Sequence, residues 1–265
     1  MKIKLLLIIS LIGAGLSVSA QDWARARLEK SPRHGEWVDV TNGARTVHCF
    51  IVYPEVKNPA PAVIVIHEIF GLTPWARNAA DEVAAAGYVA IAPDLLSGAG
   101  PKGGGSSEFA STDDAVAAIH KLPPDQITAD LNAVADYVKA LPAANGKLAV
   151  AGFCWGGGQS FRFACNRADL KAAYVFYGPP PEWNDIKKIQ CPVYGFYGGN
   201  DARISATVPT TEKEMLASRK TYQPVTYAGA GHGFMRAGEQ PGAQEANKKA
   251  HDEAWERLKE LLAKL

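Results

Sequence analysis

The stretch Gly152-Phe153-Cys154-Trp155-Gly156-Gly157-Gly158 carries the strongest structural signal in the chain. It follows an apolar run, Leu148–Ala151, that predicts a buried strand, and it precedes residues with a helical pattern. A nucleophile elbow has this context, and its tight turn admits only very small residues two positions before and two positions after the nucleophile. Gly152 and Gly156 occupy those two positions, so Cys154 is the predicted nucleophile. A glycine-rich turn around a buried cysteine is the alternative, and a phosphate-binding loop is disfavoured because no Gly-Lys-Ser/Thr follows.

Buried strands alternate with helical stretches along the rest of the chain. The pattern predicts helices that begin after the N-caps Thr73 and Thr128, and a loop over residues 97–111. A C-terminal amphipathic helix is predicted from apolar residues at helical spacing, and its stripe has a core role. The predicted strands cover residues 62–67, 88–92, 147–153, 172–177, 192–197 and 224–227. This alternation predicts an α/β fold with a mostly parallel central sheet and helices on both faces, as a single domain over residues 21–265.

Two further residues complete a chain order that an elbow requires. In such sheets the site lies beyond the carboxyl ends of the strands, and the order is nucleophile, acid, then histidine. Asp201 follows one predicted strand in Gly198-Gly199-Asn200-Asp201, and His232 follows the next in Gly231-His232-Gly233-Phe234. Either residue alone is a weak signal. Together with Cys154 they predict a Cys-His-Asp catalytic triad.

Composition and charge exclude several classes of protein. The chain has 265 residues, of which 47% are hydrophobic and 21% charged, and its formal net charge is +1. This composition is that of an ordinary globular protein. A nucleic-acid-binding protein needs a basic face, so no nucleic-acid partner is expected. We expect the chain to be a monomer.

The first twenty residues form a different kind of sequence. Lys2 and Lys4 precede an apolar run over residues 5–16, and small side chains stand one and three positions before the bond after Ala20. This pattern predicts a signal peptide over residues 1–20 that is cleaved after Ala20, with an uncleaved N-terminal anchor as the alternative. We therefore expect a periplasmic or secreted protein with no membrane segment in its mature form.

The motifs resemble those of the dienelactone hydrolase family of α/β-hydrolases. The resemblance runs from about His48 to the C-terminus. It rests on the elbow, on Asn200-Asp201, on Gly231–Phe234, and on two segments that follow predicted strands: His67-Glu68-Ile69-Phe70-Gly71 and Ala92-Pro93-Asp94-Leu95. It implies an α/β-hydrolase fold and a hydrolase that cleaves ester or lactone bonds of small molecules through a thioester acyl-enzyme.

The resemblance also assigns roles to individual residues. Glu68 falls on the family's additional carboxylate, which faces the resting thiol, with an ordinary loop carboxylate as the alternative. Ile69 and Trp155 fall on the two oxyanion-hole amides. Arg236 falls on one of two arginines that hold a substrate carboxylate, with a surface arginine paired to solvent or Glu239 as the alternative. Phe234, beside it, is a further candidate substrate-binding residue.

This sequence departs from the family at the second arginine. The position after Pro93-Asp94-Leu95 reads Leu96-Ser97-Gly98, so Gly98 stands where the arginine would be, and Lys102 lies in a glycine-rich loop nearby. A different or broader ester or lactone is therefore expected as substrate. No cofactor and no metal are implied, because His67-Glu68 lacks the second histidine of a zinc motif.

Three other cysteines need an interpretation. Cys49, Cys165 and Cys191 are an odd number, so at most one disulfide can form among them, and buried small side chains are the favoured interpretation. A thiol redox protein is disfavoured because the chain has no Cys-x-x-Cys. A non-catalytic small-molecule-binding protein of the same fold remains the alternative to the hydrolase.

Overall fold

One eight-stranded sheet organises the protein. The computed structural model describes residues 21–265, so the predicted signal peptide lies outside the described residues. The strands are β1 (Gly35–Asn42), β2 (Arg45–Val52), β3 (Ala60–Ile66), β4 (Val89–Pro93), β5 (Ala144–Phe153), β6 (Ala172–Phe176), β7 (Val193–Gly198) and β8 (Tyr222–Tyr227). Their order is β1-β2-β4-β3-β5-β6-β7-β8. The β1–β2 and β2–β4 pairs are antiparallel and the other pairs are parallel.

Helices cover both faces of this sheet, which confirms the predicted fold class. They are α1 (Asp22–Glu29), α2 (Pro74–Ala85), α3 (Thr112–Ile119), α4 (Pro124–Ala140), α5 (Trp155–Asn166), α6 (Trp183–Ile186), α7 (Ala202–Ser205), α8 (Val208–Ala217), α9 (Phe234–Glu239) and α10 (Glu245–Leu262). Alternate side chains of β3 pack into the two hydrophobic cores, one on each face of the sheet. Val63 and Val65 join a core with α2 and α10, whereas Ile64 and Ile66 join a core with α4 and α5. Within residues 21–265, none of the helices is long and apolar enough to cross a bilayer.

Local signals place some helix ends correctly and one wrongly. Thr73 caps α2 as predicted, because its hydroxyl accepts a hydrogen bond from the Ala76 amide. Thr128 is not an N-cap: α4 begins at Pro124, one turn earlier, and the Thr128 hydroxyl donates to the Pro124 carbonyl at 3.2 Å. Proline is favoured at the first position of a helix because it has no amide hydrogen to leave unpaired.

The loop over residues 97–111 is tied to the end of β4 by a buried carboxylate. It contains one 3-10 turn, Ser106–Glu108. Asp94 accepts hydrogen bonds from the amide and the hydroxyl of Ser106, at 2.7 and 2.6 Å. The Ser106 hydroxyl in turn accepts from the Leu72 amide at 2.8 Å. These bonds fix the loop against the segment that follows β3, which carries Glu68 and Ile69.

Candidate active site

Cys154 lies on a strained turn between β5 and α5. Its backbone has φ 57° and ψ −117°, in a region that non-glycine residues rarely adopt. The two flanking glycines are required by contact: a Cβ on Gly152 would lie 2.0 Å from the Gly156 carbonyl oxygen, and one on Gly156 would lie 2.3 Å from that of His67. The structure thus has the elbow that the sequence predicts, with the cysteine side chain half-buried at its tip.

The structure brings Cys154, His232 and Asp201 together at the carboxyl edge of the sheet. The Nε2 atom of His232 lies 3.0 Å from the Cys154 sulfur, and its Nδ1 atom lies 2.5 Å from an oxygen of Asp201. The Asp201 side chain is buried, whereas that of His232 is 33% exposed. The imidazole can therefore exchange a proton with the thiol while the carboxylate fixes its orientation.

The surroundings of His232 favour its protonated form. Burial lowers the pKa of the imidazole, but hydrogen bonds and charge interactions with Cys154 and Asp201 outweigh that effect and raise the pKa to about 9. At neutral pH the ring is then a cation that donates one hydrogen to the sulfur and one to the carboxylate. The thiolate is the nucleophilic form of cysteine, and an adjacent imidazolium stabilises it.

Glu68 and Arg236 form an ion pair near Cys154, His232 and Asp201. The Arg236 Nε donates to a Glu68 oxygen at 2.6 Å, and the carboxylate is buried. Burial raises the pKa of Glu68, and the guanidinium acts in the opposite direction. No hydrogen bond joins Glu68 to Cys154 among the described residues. Glu68 therefore pairs with Arg236 here, where the resemblance predicted a contact with the resting thiol.

The structure pairs Arg236 with a carboxylate that neither sequence-based interpretation of it names. It lies on α9, and its carboxylate partner is Glu68, not Glu239. Glu239 instead pairs with Arg27 and His251. The guanidinium also lies 5.3 Å from the centre of the Phe70 ring. A substrate carboxylate could reach Arg236 in two ways: by displacing Glu68, or by accepting from the guanidinium N–H groups that Glu68 does not use.

The two predicted oxyanion-hole amides are both unpaired. Within the described chain, neither the Ile69 amide nor the Trp155 amide donates a hydrogen bond to another residue. Trp155 directly follows the nucleophile, and Ile69 follows Glu68. Two backbone donors left open beside a nucleophile can stabilise a developing oxyanion.

Two aromatic residues, Tyr177 and Phe234, pack near His232. Tyr177 directly follows β6 with φ 40°, and its buried ring packs edge-on against His232, with ring centres 5.2 Å apart. No motif marks this residue, which sequence analysis placed only at the end of a strand. Phe234, the further candidate for contact with substrate, has a fully buried ring that packs between Tyr177 and Tyr227. Phe234 therefore packs against Tyr177, the ring that contacts His232.

Gly98, which stands where the family has its second arginine, lies next to Arg45. Gly98 has φ 75°, and a Cβ there would lie 3.2 Å from a guanidinium nitrogen of Arg45. Arg45 is itself bonded to Asp130, at 2.8 Å, and to the Leu95 carbonyl. The charge of Arg45 is therefore paired with a buried carboxylate.

The remaining cysteines are free thiols that form no hydrogen bond with Cys154, His232 or Asp201 in the described chain. Cys49, Cys165 and Cys191 are buried, and burial raises the pKa of each. They are therefore inert compared with Cys154, in keeping with the favoured interpretation. In the described chain, no group of three His, Cys, Asp or Glu side chains could hold a metal ion.

An elbow followed by an acid and a histidine, at the edge of a mostly parallel sheet, places the protein among the α/β-hydrolases. The profile of the dienelactone hydrolase family matches residues 47–265, and the chain belongs to this family. A relative in Salmonella typhimurium, named "Putative carboxymethylenebutenolidase", is 34% identical over 215 residues, which are 77% of each chain. The protein is therefore a dienelactone hydrolase-like carboxylic ester hydrolase that acts on ester or lactone bonds.

Solved structures agree with this assignment. A crystal structure titled "Putative Dienelactone Hydrolase", from Klebsiella pneumoniae, is 27% identical with a TM-score of 0.77 and covers 88% of this chain and 99% of its own. A dienelactone hydrolase-like promiscuous phosphotriesterase from metagenomic libraries is 25% identical with a TM-score of 0.74, covering 88% of this chain and 98% of its own.

Proposed function

We propose that this protein is an exported cysteine hydrolase that cleaves small-molecule esters or lactones through a proposed triad of Cys154, His232 and Asp201. The observation that carries the proposal is the unbroken series of contacts, 3.0 Å from sulfur to imidazole and 2.5 Å from imidazole to carboxylate, on a strained elbow. Strain at a position that presents a side chain is a recurrent property of reactive sites.

The chemistry proceeds in two stages. The Cys154 thiolate attacks the carbonyl carbon, forming a C–S bond, while the carbonyl electron pair moves to oxygen and is stabilised by the Ile69 and Trp155 amides. The oxyanion then collapses, the C–O bond of the ester breaks, and the leaving alkoxide takes the proton from His232. In the second stage neutral His232 removes a proton from water, the hydroxide attacks the thioester, and the thiolate leaves.

The Glu68–Arg236 pair gives this site a means to respond to acidic substrates. Besides His232, Arg236 is a cation that interacts with the nucleophile, and a substrate carboxylate would compete with Glu68 for it. A released Glu68 would be a buried carboxylate without its partner, and it would accept a proton more readily. We propose that Arg236 binds acidic substrates in this way, and that neutral esters react without the exchange.

The test is loss of the nucleophile. Cys154→Ala should lower p-nitrophenyl acetate hydrolysis on the order of 10⁴-fold or more, since a triad without its nucleophile retains only binding and oxyanion stabilisation. Cys191→Ala removes a buried thiol away from the site and is the matched control, expected to keep wild-type turnover. Iodoacetamide should inactivate the wild type and the control alike. An active alanine variant would overturn the proposal, and an inert wild type would support a binding protein instead.

Export is proposed from residues 1–20 and is tested separately. The full-length chain, produced in a bacterial host and fractionated, should be recovered outside the cytoplasm with Gln21 as its first residue. A protein that retains Met1 in the membrane fraction would indicate the uncleaved anchor.

A further inference from the structure

His67 is a buried histidine that takes no part in the chemistry proposed above. It directly follows β3 and is 0% exposed, although it lies one residue from Glu68 and two from Ile69. Its Nδ1 atom lies 2.7 Å from the Glu68 carbonyl oxygen, and its Nε2 atom lies 3.3 Å from the Leu95 amide nitrogen. A fully buried imidazole with two bonds to backbone atoms holds those atoms in place.

The two partners determine which ring nitrogen carries the hydrogen. A backbone amide can only donate, so Nε2 accepts from Leu95 and has no hydrogen of its own. A carbonyl can only accept, so Nδ1 donates to Glu68. His67 is therefore neutral, with its hydrogen on Nδ1. Burial lowers the pKa of this imidazole, in agreement with the neutral form.

The bond to the Glu68 carbonyl also sets the direction of the Ile69 amide. These two groups belong to one planar peptide unit, in which the C=O and the N–H of a trans bond point in opposite directions. No cis peptide bond occurs in the described chain. When His67 holds the carbonyl on one side, the Ile69 N–H is turned to the other side and stays free of protein partners.

The same ring also contacts the residue that carries the second open amide. The imidazole stacks on the Trp155 indole, with ring centres 5.5 Å apart and planes inclined by 16°. Through Leu95 it is bonded to the segment after β4 as well. One side chain thus joins the loop after β3 to the first residue of α5, and these two segments bear the two open donors.

We propose that His67 is a positioning residue that holds the Glu68–Ile69 peptide so that the Ile69 amide stabilises the oxyanion. This rests on the proposed function, in which Ile69 and Trp155 form the oxyanion hole. A second hydrogen bond also holds the Glu68–Ile69 peptide, because the Gly71 amide donates to the Glu68 carbonyl at 3.2 Å. If that turn alone fixed the peptide, His67 would serve only to fill space.

The test compares two variants of His67 in two reactions. His67→Phe keeps the ring stack and loses both hydrogen bonds, whereas His67→Gln offers one donor and one acceptor. Ester hydrolysis develops an oxyanion. Alkylation of Cys154 by iodoacetamide does not, because the sulfur displaces iodide at a saturated carbon and no carbonyl is attacked.

We expect His67→Phe to lower kcat for p-nitrophenyl acetate by at least about tenfold and at most the roughly 10²- to 10³-fold that loss of one oxyanion donor costs. KM and the alkylation rate should stay near wild type, and His67→Gln should recover part of the loss in kcat. Binding of a trifluoromethyl ketone, which forms a tetrahedral oxyanion adduct with the thiol, should weaken in parallel with kcat. Thr211→Val, which removes a buried hydroxyl on α8, controls for loss of stability alone.

Each outcome decides a different question. Unchanged hydrolysis in His67→Phe would overturn the positioning role and leave the proposed triad intact. Equal losses in hydrolysis and alkylation would also overturn it, because they would indicate damage to the Cys154–His232 contact. Failure of the proposed function would be visible in the wild type itself, as hydrolysis that persists after Cys154 is alkylated.

Discussion

The proposed triad and the Glu68–Arg236 pair lie side by side, yet they are held in different ways. Cys154, Asp201 and His232 follow β5, β7 and β8, and each is positioned by the end of its strand. Glu68 follows β3, but its partner projects from α9, so the contact depends on one ion pair. The sheet therefore fixes the proposed triad, whereas under our proposal a competing anion displaces Glu68. In the proposed mechanism, catalytic geometry and the response to acidic substrates thus belong to separate parts of one site.

The largest effect is expected within the part fixed by the sheet. Asp201→Asn should lower kcat roughly 10⁴-fold, because the amide no longer stabilises the imidazolium or fixes the tautomer of His232. The loss should be the same for acidic and neutral substrates. Asp185→Asn, an exposed carboxylate paired with Lys188, is the control and should not change kcat. Wild-type kinetics in Asp201→Asn would mean that His232 is oriented by other contacts.

A smaller and selective effect is expected at the ion pair. A charge-assisted hydrogen bond contributes about 1.5–3 kcal/mol, so Arg236→Met should lower kcat/KM for an acidic lactone by about 10- to 150-fold. The matched methyl ester should lose much less, and the ratio between the two substrates is the quantity to measure. Glu68→Gln removes the competing carboxylate. In this variant the ratio of kcat/KM for the acidic lactone to kcat/KM for its methyl ester should therefore rise. Equal losses on both substrates in Arg236→Met would indicate a packing role.

The smallest effect near neutral pH is expected in the pH dependence of kcat/KM. The pKa of His232 is raised to about 9, so its proton is present at neutral pH and is lost as the pH rises through that value. The leaving alkoxide needs this proton, so kcat/KM for an alkyl ester should fall about tenfold per pH unit above 9. Alkylation by iodoacetamide needs only the thiolate and should not fall. A profile for the ester that stays level to pH 10 would contradict the charge state described for His232.

The sequence predicts the triad better than its surroundings, for a physical reason. A residue after a buried strand lies at the sheet edge whatever else the chain does, so chain order alone could place Cys154, Asp201 and His232 together. The Glu68–Arg236 contact depends on the direction of α9, a six-residue helix without a capping side chain. The role of His67 depends on which way one peptide unit faces, and no residue pattern encodes that.

The sequence analysis predicts neither the β1–β2 hairpin nor helix α3, although local signals for both exist. The β1–β2 hairpin turns at Gly43, where φ is 61°, directly after Asn42, and an Asn-Gly pair is typical of such turns. Helix α3 begins after Ser111, whose hydroxyl accepts from the Asp114 amide at 3.1 Å. A serine followed three residues later by an acid indicates a helix start. Both elements were within reach of the sequence, unlike the ion pair.

The central claim is that the Cys154 sulfur forms a covalent bond to the acyl group during turnover. Rapid acid quenching of the wild type with p-nitrophenyl acetate, followed by peptide mass spectrometry, measures this directly. The account predicts an acetyl group on Cys154 within the first turnover, and none on Cys49, Cys165 or Cys191. An acetyl group on a different side chain, or full turnover with no acyl-enzyme and an alkylated Cys154, would contradict it.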